Sequence, residues 1–348
     1  MRGRLHVDLA ALAANYRSFS SAAEAAGGTA GGVVKADAYG LGAARVAATL
    51  QSEGCAEFFV ATVEEGAALR AILPEAIIYV FEGATGATAE VLASNDLVPV
   101  LNHRGQLEAW QAYRERPAAV HVDTGMNRLG FPADVDAVQF AGMNLSLLLT
   151  HLACADVPDD PMNHEQVERF RRAATSFPGV RTSIGNSAGM LADASCCGDL
   201  GRPGVGLYGG NPFSDRRNPM RRVAALQGQV LQVRTCSAGS PLGYGATYVA
   251  PADLRVAVVG LGYADGLPRL ISGRGCAAVG GRRCALLGRV SMDLTLVDVT
   301  GLEVQAGDWI EMFGDTVSVD EVAGWAETIA YEILTGIGDR VERVYSGD

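Results

Sequence analysis

The chain lacks what a nucleic-acid or membrane-surface protein needs. Charged residues make up only 19% of its 348 positions, and acid outweighs base to a net charge of -11 and a pI of about 5.0. Such a field repels phosphate backbones and anionic lipid, so neither is expected as a partner. No apolar run is long enough to span a bilayer, and the start, Met1 to Asp8, has no apolar core of signal-peptide length. The seven cysteines (Cys55, Cys154, Cys196, Cys197, Cys236, Cys276 and Cys284) include no Cys-x-x-Cys pair. A disulfide framework or zinc site is therefore not expected, and a cytoplasmic protein in reducing surroundings is. There is no fixed-period repeat and no low-complexity tract.

What is present is 49% hydrophobic residues, enough for two ordinary domains. A helical pattern starts at Asp8, a candidate N-cap, with Leu9, Leu12, Tyr16 and Phe19 on one face. Apolar stretches then recur at 32–34, 58–61, 77–81, 97–101, 118–122, 145–150, 180–184 and 205–208. Helix-like segments such as 63–73, 104–114, 135–141 and 165–176 separate them. This alternation predicts an α/β fold, an eight-stranded parallel β/α (TIM-type) barrel over residues 1–217. An open doubly wound sheet is the runner-up, but no Gly-x-Gly-x-x-Gly follows the first strand. After Asn218-Pro219 the helical spacing stops. Stretches at 226–233, 255–259, 276–279, 285–290, 295–299 and 309–313 predict a mostly β C-terminal domain, 218–348, with a short helical piece at 319–336. The first few residues could pair with it.

The barrel is organised around Val33-Val34-Lys35-Ala36-Asp37-Ala38-Tyr39-Gly40. An apolar strand delivers Lys35 to the face where barrels carry their sites. A desolvated lysine there suits Schiff-base chemistry, although a snorkelling strand-end lysine fits the same eight residues. Other strand ends supply Asp123-Thr124-Gly125-Met126-Asn127-Arg128, Thr150-His151, Asn186-Ser187-Ala188 and Arg202-Pro203-Gly204-Val205. Lysine, arginines, a histidine, a hydroxyl and glycine-flanked amides together suit an anionic, phosphorylated cofactor. Singly, each has a plainer reading: a surface ion pair for Arg128, a core histidine for His151, a helix cap for Ser187. In the second domain Gly243-Tyr244-Gly245 and Gly262-Tyr263-Ala264-Asp265-Gly266 present tyrosines at glycine turns, suited to proton exchange or simply to packing.

These stretches, with Ser291-Met292-Asp293 and Ala330-Tyr331-Glu332, resemble the alanine racemase family in order and over essentially the whole chain. The resemblance implies interconversion of L- and D-alanine, for peptidoglycan supply or alanine catabolism, by a cytoplasmic homodimer using pyridoxal 5'-phosphate. Lys35 would hold the cofactor covalently and act as one base. Tyr244, reaching across the interface, would be the other. Arg202 would face the pyridine nitrogen and His151 would orient the surroundings. Tyr39, Ser187, Gly204, Val205 and Tyr331 would hold the phosphate. Arg128 would reach the substrate carboxylate, Met292 of the partner would lie beside the substrate, and Tyr263 would stand at the entrance. One position departs from the family. His121 stands where many members carry a lysine, often carbamylated, that holds the active-site arginine. Arg128 is therefore expected to be held by a small anion, a nearby carboxylate or a neutral hydrogen bond. A racemase of serine or of broader range, a decarboxylase, a cofactor-buffering protein and a cofactor-free dimer module are the competing readings. The decarboxylase and the buffering protein leave the Gly-Tyr-Gly stretch without a use.

Overall fold

The structure is a computed structural model and describes residues 2–347. The Asp8 carboxylate accepts the Ala11 amide at 2.9 Å and caps the helix Leu9–Ala25. Asp8→Ala is expected to cost about 1 kcal/mol, read as a lowered urea midpoint at unchanged slope.

Seven parallel strands follow in chain order: Gly32–Val33, Glu57–Val60, Ile77–Val80, Val98–Leu101, Pro117–Asp123, Asn144–Leu149 and Arg181–Ser183. The expected eighth strand at 205–208 is instead a 3-10 turn, Val205–Tyr208. The strand in that place is Leu200–Gly201, which pairs in parallel with Thr29–Ala30 just ahead of the first strand. The reason is local: the Gly204 and Gly206 amides are taken by the Ser187 hydroxyl and not by a neighbouring strand. Arg202 N to Gly185 O at 2.8 Å and Ile184 N to Cys197 O tie this segment to the seventh strand and close the barrel. Continuous apolar strands are what a parallel sheet buried on both faces requires. Inside, Phe59 stacks on Tyr79 at 4.7 Å and on Phe81 at 5.4 Å.

Two further expectations are corrected. The segment 135–141 is only a 3-10 turn, Ala137–Phe140, and 319–336 is two helices, Val319–Trp325 and Ala330–Thr335. The second domain is an eight-stranded sheet, mostly antiparallel. Gly3–Asp8 lies in it between Ala224–Cys236 and a strand the sequence pattern does not announce, Val341–Ser346. That last strand reaches the barrel: Arg343 donates to Gly40 O at 3.1 Å and the Tyr345 hydroxyl to Leu41 O at 2.9 Å. Among the described residues no helix is long and apolar enough to cross a membrane.

Candidate active site

The first strand ends at Val33, and after Lys35 the backbone enters the left-handed region. Ala36, Asp37, Ala38 and Tyr39 have φ of 51°, 51°, 53° and 57°. For residues with a Cβ this costs on the order of 1–2 kcal/mol each, so the turn must be held from outside. Glu65 Oε1 accepts the Ala36 amide at 2.7 Å, and Asp37 Oδ1 accepts the Ala43 amide at 2.7 Å. Gly40, at φ 81°, closes the turn, where a Cβ would stand 2.7 Å from Leu334 O. The helix Ala43–Ser52 follows the turn. Lys35, at its head, is the only lysine of the chain; every other Lys/Arg position is arginine. Its ammonium lies 5.8 Å from the centre of the Phe81 ring. Burial, and next the charge of Arg128, lower its pKa, while Glu65 pulls the other way.

Tyr39 is buried, its ring 4.6 Å from Tyr208 and 5.7 Å from Tyr331. Burial holds the Tyr39 phenol protonated and pushes Tyr331 up to about 12. The Tyr39 hydroxyl lies so close to Gly204 that a Cβ there would stand 2.5 Å from it. The Ser187 hydroxyl oxygen accepts the Gly204 amide at 2.8 Å and the Gly206 amide at 3.2 Å, which leaves its own hydrogen free to donate. The Tyr39 and Ser187 hydroxyls thus lie against the Gly204 backbone, which carries no side chain. This is the donor set a phosphate monoester needs.

Arg202 is 4% exposed, and no carboxylate pairs with it among the described residues. It donates to Thr150 O, Ile184 O and Ser183 Oγ, all neutral. Burial lowers it to about 10, so it stays a cation at neutral pH. His151 is held down to about 3 by burial, then by Arg202 and Arg128. Lys35, Arg128 and Arg202 thus bring positive charge to a site whose histidine is neutral, and an anionic ligand is what it calls for. A cavity of about 640 Å³ opens beside this cluster, lined by His151, Asn186, Ala188, Asn211 and Tyr331 among others.

His121 hydrogen-bonds Asn102. Asn102 Nδ2 donates to Phe81 O at 3.0 Å and Val100 O at 2.8 Å, so its Oδ1 accepts from His121 Nδ1 at 2.9 Å. The Nδ1–H tautomer follows from that network. Burial, and then Arg202, hold His121 at about 4, hence neutral. Arg128 itself is exposed and has no protein hydrogen-bond or ion-pair partner among the described residues. Neither the carboxylate nor the neutral hydrogen bond expected to hold it is found among the described residues.

The remaining expected residues lie apart from this cluster. Tyr244, Tyr263 and Met292 sit on the second domain with 69%, 42% and 52% of their surface exposed, and none lines the cavity. Two of them are built as one unit: Tyr263 N donates to Ser291 O at 3.0 Å and Ala264 N to Met292 O at 2.9 Å. Arg340 bridges Asp265 at 3.0 Å and Asp293 at 2.8 Å. Glu65, Asn102 and Arg340 are supports that the motif spacing does not reveal, because each acts across the fold on backbone or on another side chain.

Comparison with known proteins gives this geometry its context. The family description "Alanine racemase, N-terminal domain" matches residues 7–212, and "Alanine racemase, C-terminal domain" matches 223–345. The alanine racemase of Methylobacterium sp. (strain 4-46) is 46% identical over 98% of this chain and 97% of its own. The biosynthetic alanine racemase of Agrobacterium fabrum is 44% identical over 98% and 93%. The solved alanine racemase of Bartonella henselae, with covalently bound pyridoxal phosphate, superposes with a TM-score of 0.93 at 34% identity, covering 99% of this chain and all of that one. The chain therefore belongs to the alanine racemase family.

Proposed function

We propose that the chain interconverts L- and D-alanine, with pyridoxal phosphate attached to Lys35. The observation that carries this reading is the only lysine, at the end of the first strand, coupled to Arg128 and to a neutral buried histidine, in a barrel that also sets the Tyr39 and Ser187 hydroxyls against the Gly204 backbone. The residues fit the cofactor. The Tyr39, Ser187 and Tyr331 hydroxyls and the Val205 amide would take the phosphate beside Gly204, whose own amide is held by Ser187, and Arg202 would face the ring nitrogen. When bound, the cofactor supplies an electron-withdrawing ring that acidifies the α-hydrogen of an attached amino acid.

The chain's own groups do the rest. Lys35 Nζ, its pKa lowered by burial and by Arg128, exchanges a proton on one face of Cα. Tyr244 of the partner subunit exchanges one on the opposite face, and two bases on opposite faces are what inversion needs. Arg202 is too strong a base to surrender its proton, so it donates a hydrogen bond and leaves the ring nitrogen largely unprotonated. That limits charge delocalisation and the side reactions it feeds. Arg128 takes the substrate carboxylate. The exposure of Tyr244, Met292 and Tyr263 supports a homodimer in which Tyr244 and Met292 complete the partner's site and Tyr263 guards its entrance.

The test is turnover of L- and D-alanine in D₂O by the purified, cofactor-loaded protein. The reading expects inversion with deuterium at Cα. A yellow protein that neither inverts nor exchanges alanine would refute it. Gly204→Ala is expected to weaken cofactor binding by roughly tenfold or more, since its Cβ would intrude on the Tyr39 hydroxyl and the phosphate space. Cofactor titration followed by absorbance measures this.

A further inference from the structure

Glu65 has a local duty and a remote one. Locally it completes a capping box: Thr62 Oγ1 accepts the Glu65 amide, and Glu65 Oε2 takes the Thr62 amide at 3.4 Å and the Ala61 amide at 2.7 Å. A cap needs no more than that. Yet the other oxygen, Oε1, reaches to the first barrel strand and accepts the Ala36 amide at 2.7 Å. One carboxylate thus ties the end of the second strand to the first amide after Lys35. That amide opens the left-handed turn, Ala36 to Tyr39, which is unfavourable by itself. The far end of the turn is held by Arg343 and Tyr345 from the second domain, and its near end by Glu65.

We propose that Glu65 is a positioning residue for Lys35: its carboxylate clamps the first amide of the left-handed turn and so fixes the direction in which the lysine enters the site. A charge-assisted hydrogen bond to a backbone amide is strong enough to hold a strained residue in place. The charged or titratable groups felt at Lys35 are Arg128 and Glu65, and Lys35 in turn acts on His151. Glu65 is the one among them with negative charge, so it offsets Arg128 at the amine as well as orienting it. The proposal rests on the racemase reading for the meaning of turnover but not for its other readouts.

The test compares Glu65→Gln with Thr62→Ala in the full chain. Glutamine keeps the shape but sets an NH₂ against either the Ala36 amide or the Ala61 and Thr62 amides. Thr62→Ala breaks the same capping box without touching Ala36. Three quantities are read. The first is kcat against KM for alanine. The second is the rate at which cofactor leaves the holoenzyme on dialysis. The third is the pH midpoint for acylation of Lys35 by acetic anhydride in the cofactor-free chain, located by peptide mass spectrometry at the only lysine. For Glu65→Gln the expected results are a kcat roughly tenfold lower with KM little changed, faster cofactor loss, and a labelling midpoint lower by roughly half a unit or more. For Thr62→Ala only the melting temperature is expected to fall. If Glu65→Gln matches Thr62→Ala in all three readouts, Glu65 is only a cap and the proposal is overturned. Should Glu65→Gln fail to fold, Glu65→Asp replaces it. Aspartate keeps the charge but falls short of spanning both strands, so a lowered kcat with an unmoved midpoint is expected, and wild-type kcat would overturn the proposal. A wild-type chain that labels normally but fails to racemise alanine would count against the racemase reading, not against the clamp.

Discussion

Lys35→Ala is expected to give a colourless protein whose alanine racemisation is down roughly 10⁴-fold or more, since a positioned base alone is worth about 10²–10⁴ and the covalent anchor is lost with it. The chain's composition makes this test unusually clean. Lys35 is the only lysine among 348 residues, so the only other amine is that of the N-terminus. Borohydride reduction of the cofactor-loaded wild type should therefore fix one pyridoxyl group per chain, on the peptide that carries Lys35. In Lys35→Ala the label should vanish from that region and appear nowhere else. Lys35→Arg should be equally colourless, because a guanidinium stays protonated at neutral pH and cannot attack an aldehyde. A yellow Lys35→Ala protein that keeps its activity would end the assignment of Lys35.

How far the sequence discloses this site depends on the range over which each residue acts. Lys35, Ser187, Arg202 and Gly204 are legible because each sits at or just past a strand end, where a barrel must place its chemistry. The barrel itself is legible from its apolar stretches, but the last of them misleads. Val205–Tyr208 is apolar because it packs under the site, with Val205, Leu207 and Tyr208 buried, not because it pairs as a strand. Burial and strand formation give the same short apolar signature, and periodicity cannot separate them. The left-handed turn after Lys35 is also hidden. In Ala36-Asp37-Ala38-Tyr39 only Asp37 tolerates positive φ readily, and the groups that hold the turn's ends, Glu65, Arg343 and Tyr345, lie from 29 to over 300 residues away. His121 is legible as a departure, yet its partner Asn102 lies on a different strand end and makes no local pattern. The solitary lysine is the reverse case, a plain feature of composition that spacing arguments pass over.

Tyr244 provides the other large effect, and the more discriminating one. Tyr244→Phe is expected to bind cofactor and stay yellow while losing roughly 10²–10⁴-fold in racemisation, with exchange of the α-hydrogen persisting from one enantiomer only. The residue is 69% exposed and sits on a short turn, Tyr244–Ala246, between the paired strands Pro241–Leu242 and Tyr248–Val249. Removing its hydroxyl therefore leaves the core untouched. Whether it serves its own chain or another is settled by mixing. In the proposed homodimer, Lys35→Ala would lack the anchor and Tyr244→Phe the second base, so each alone should be nearly dead. If the site is shared, a dimer holding one chain of each kind has one site with both native residues and one with neither. After dissociation and random reassociation of equal amounts, about half of the dimers are mixed, and activity should return to roughly a quarter of wild type. If Tyr244 worked on its own chain's Lys35, no pairing could unite the two residues, and the mixture would stay as inactive as its parents. A quarter recovered or nothing recovered differ by orders of magnitude, so the assay needs no precise calibration to decide where the second base comes from.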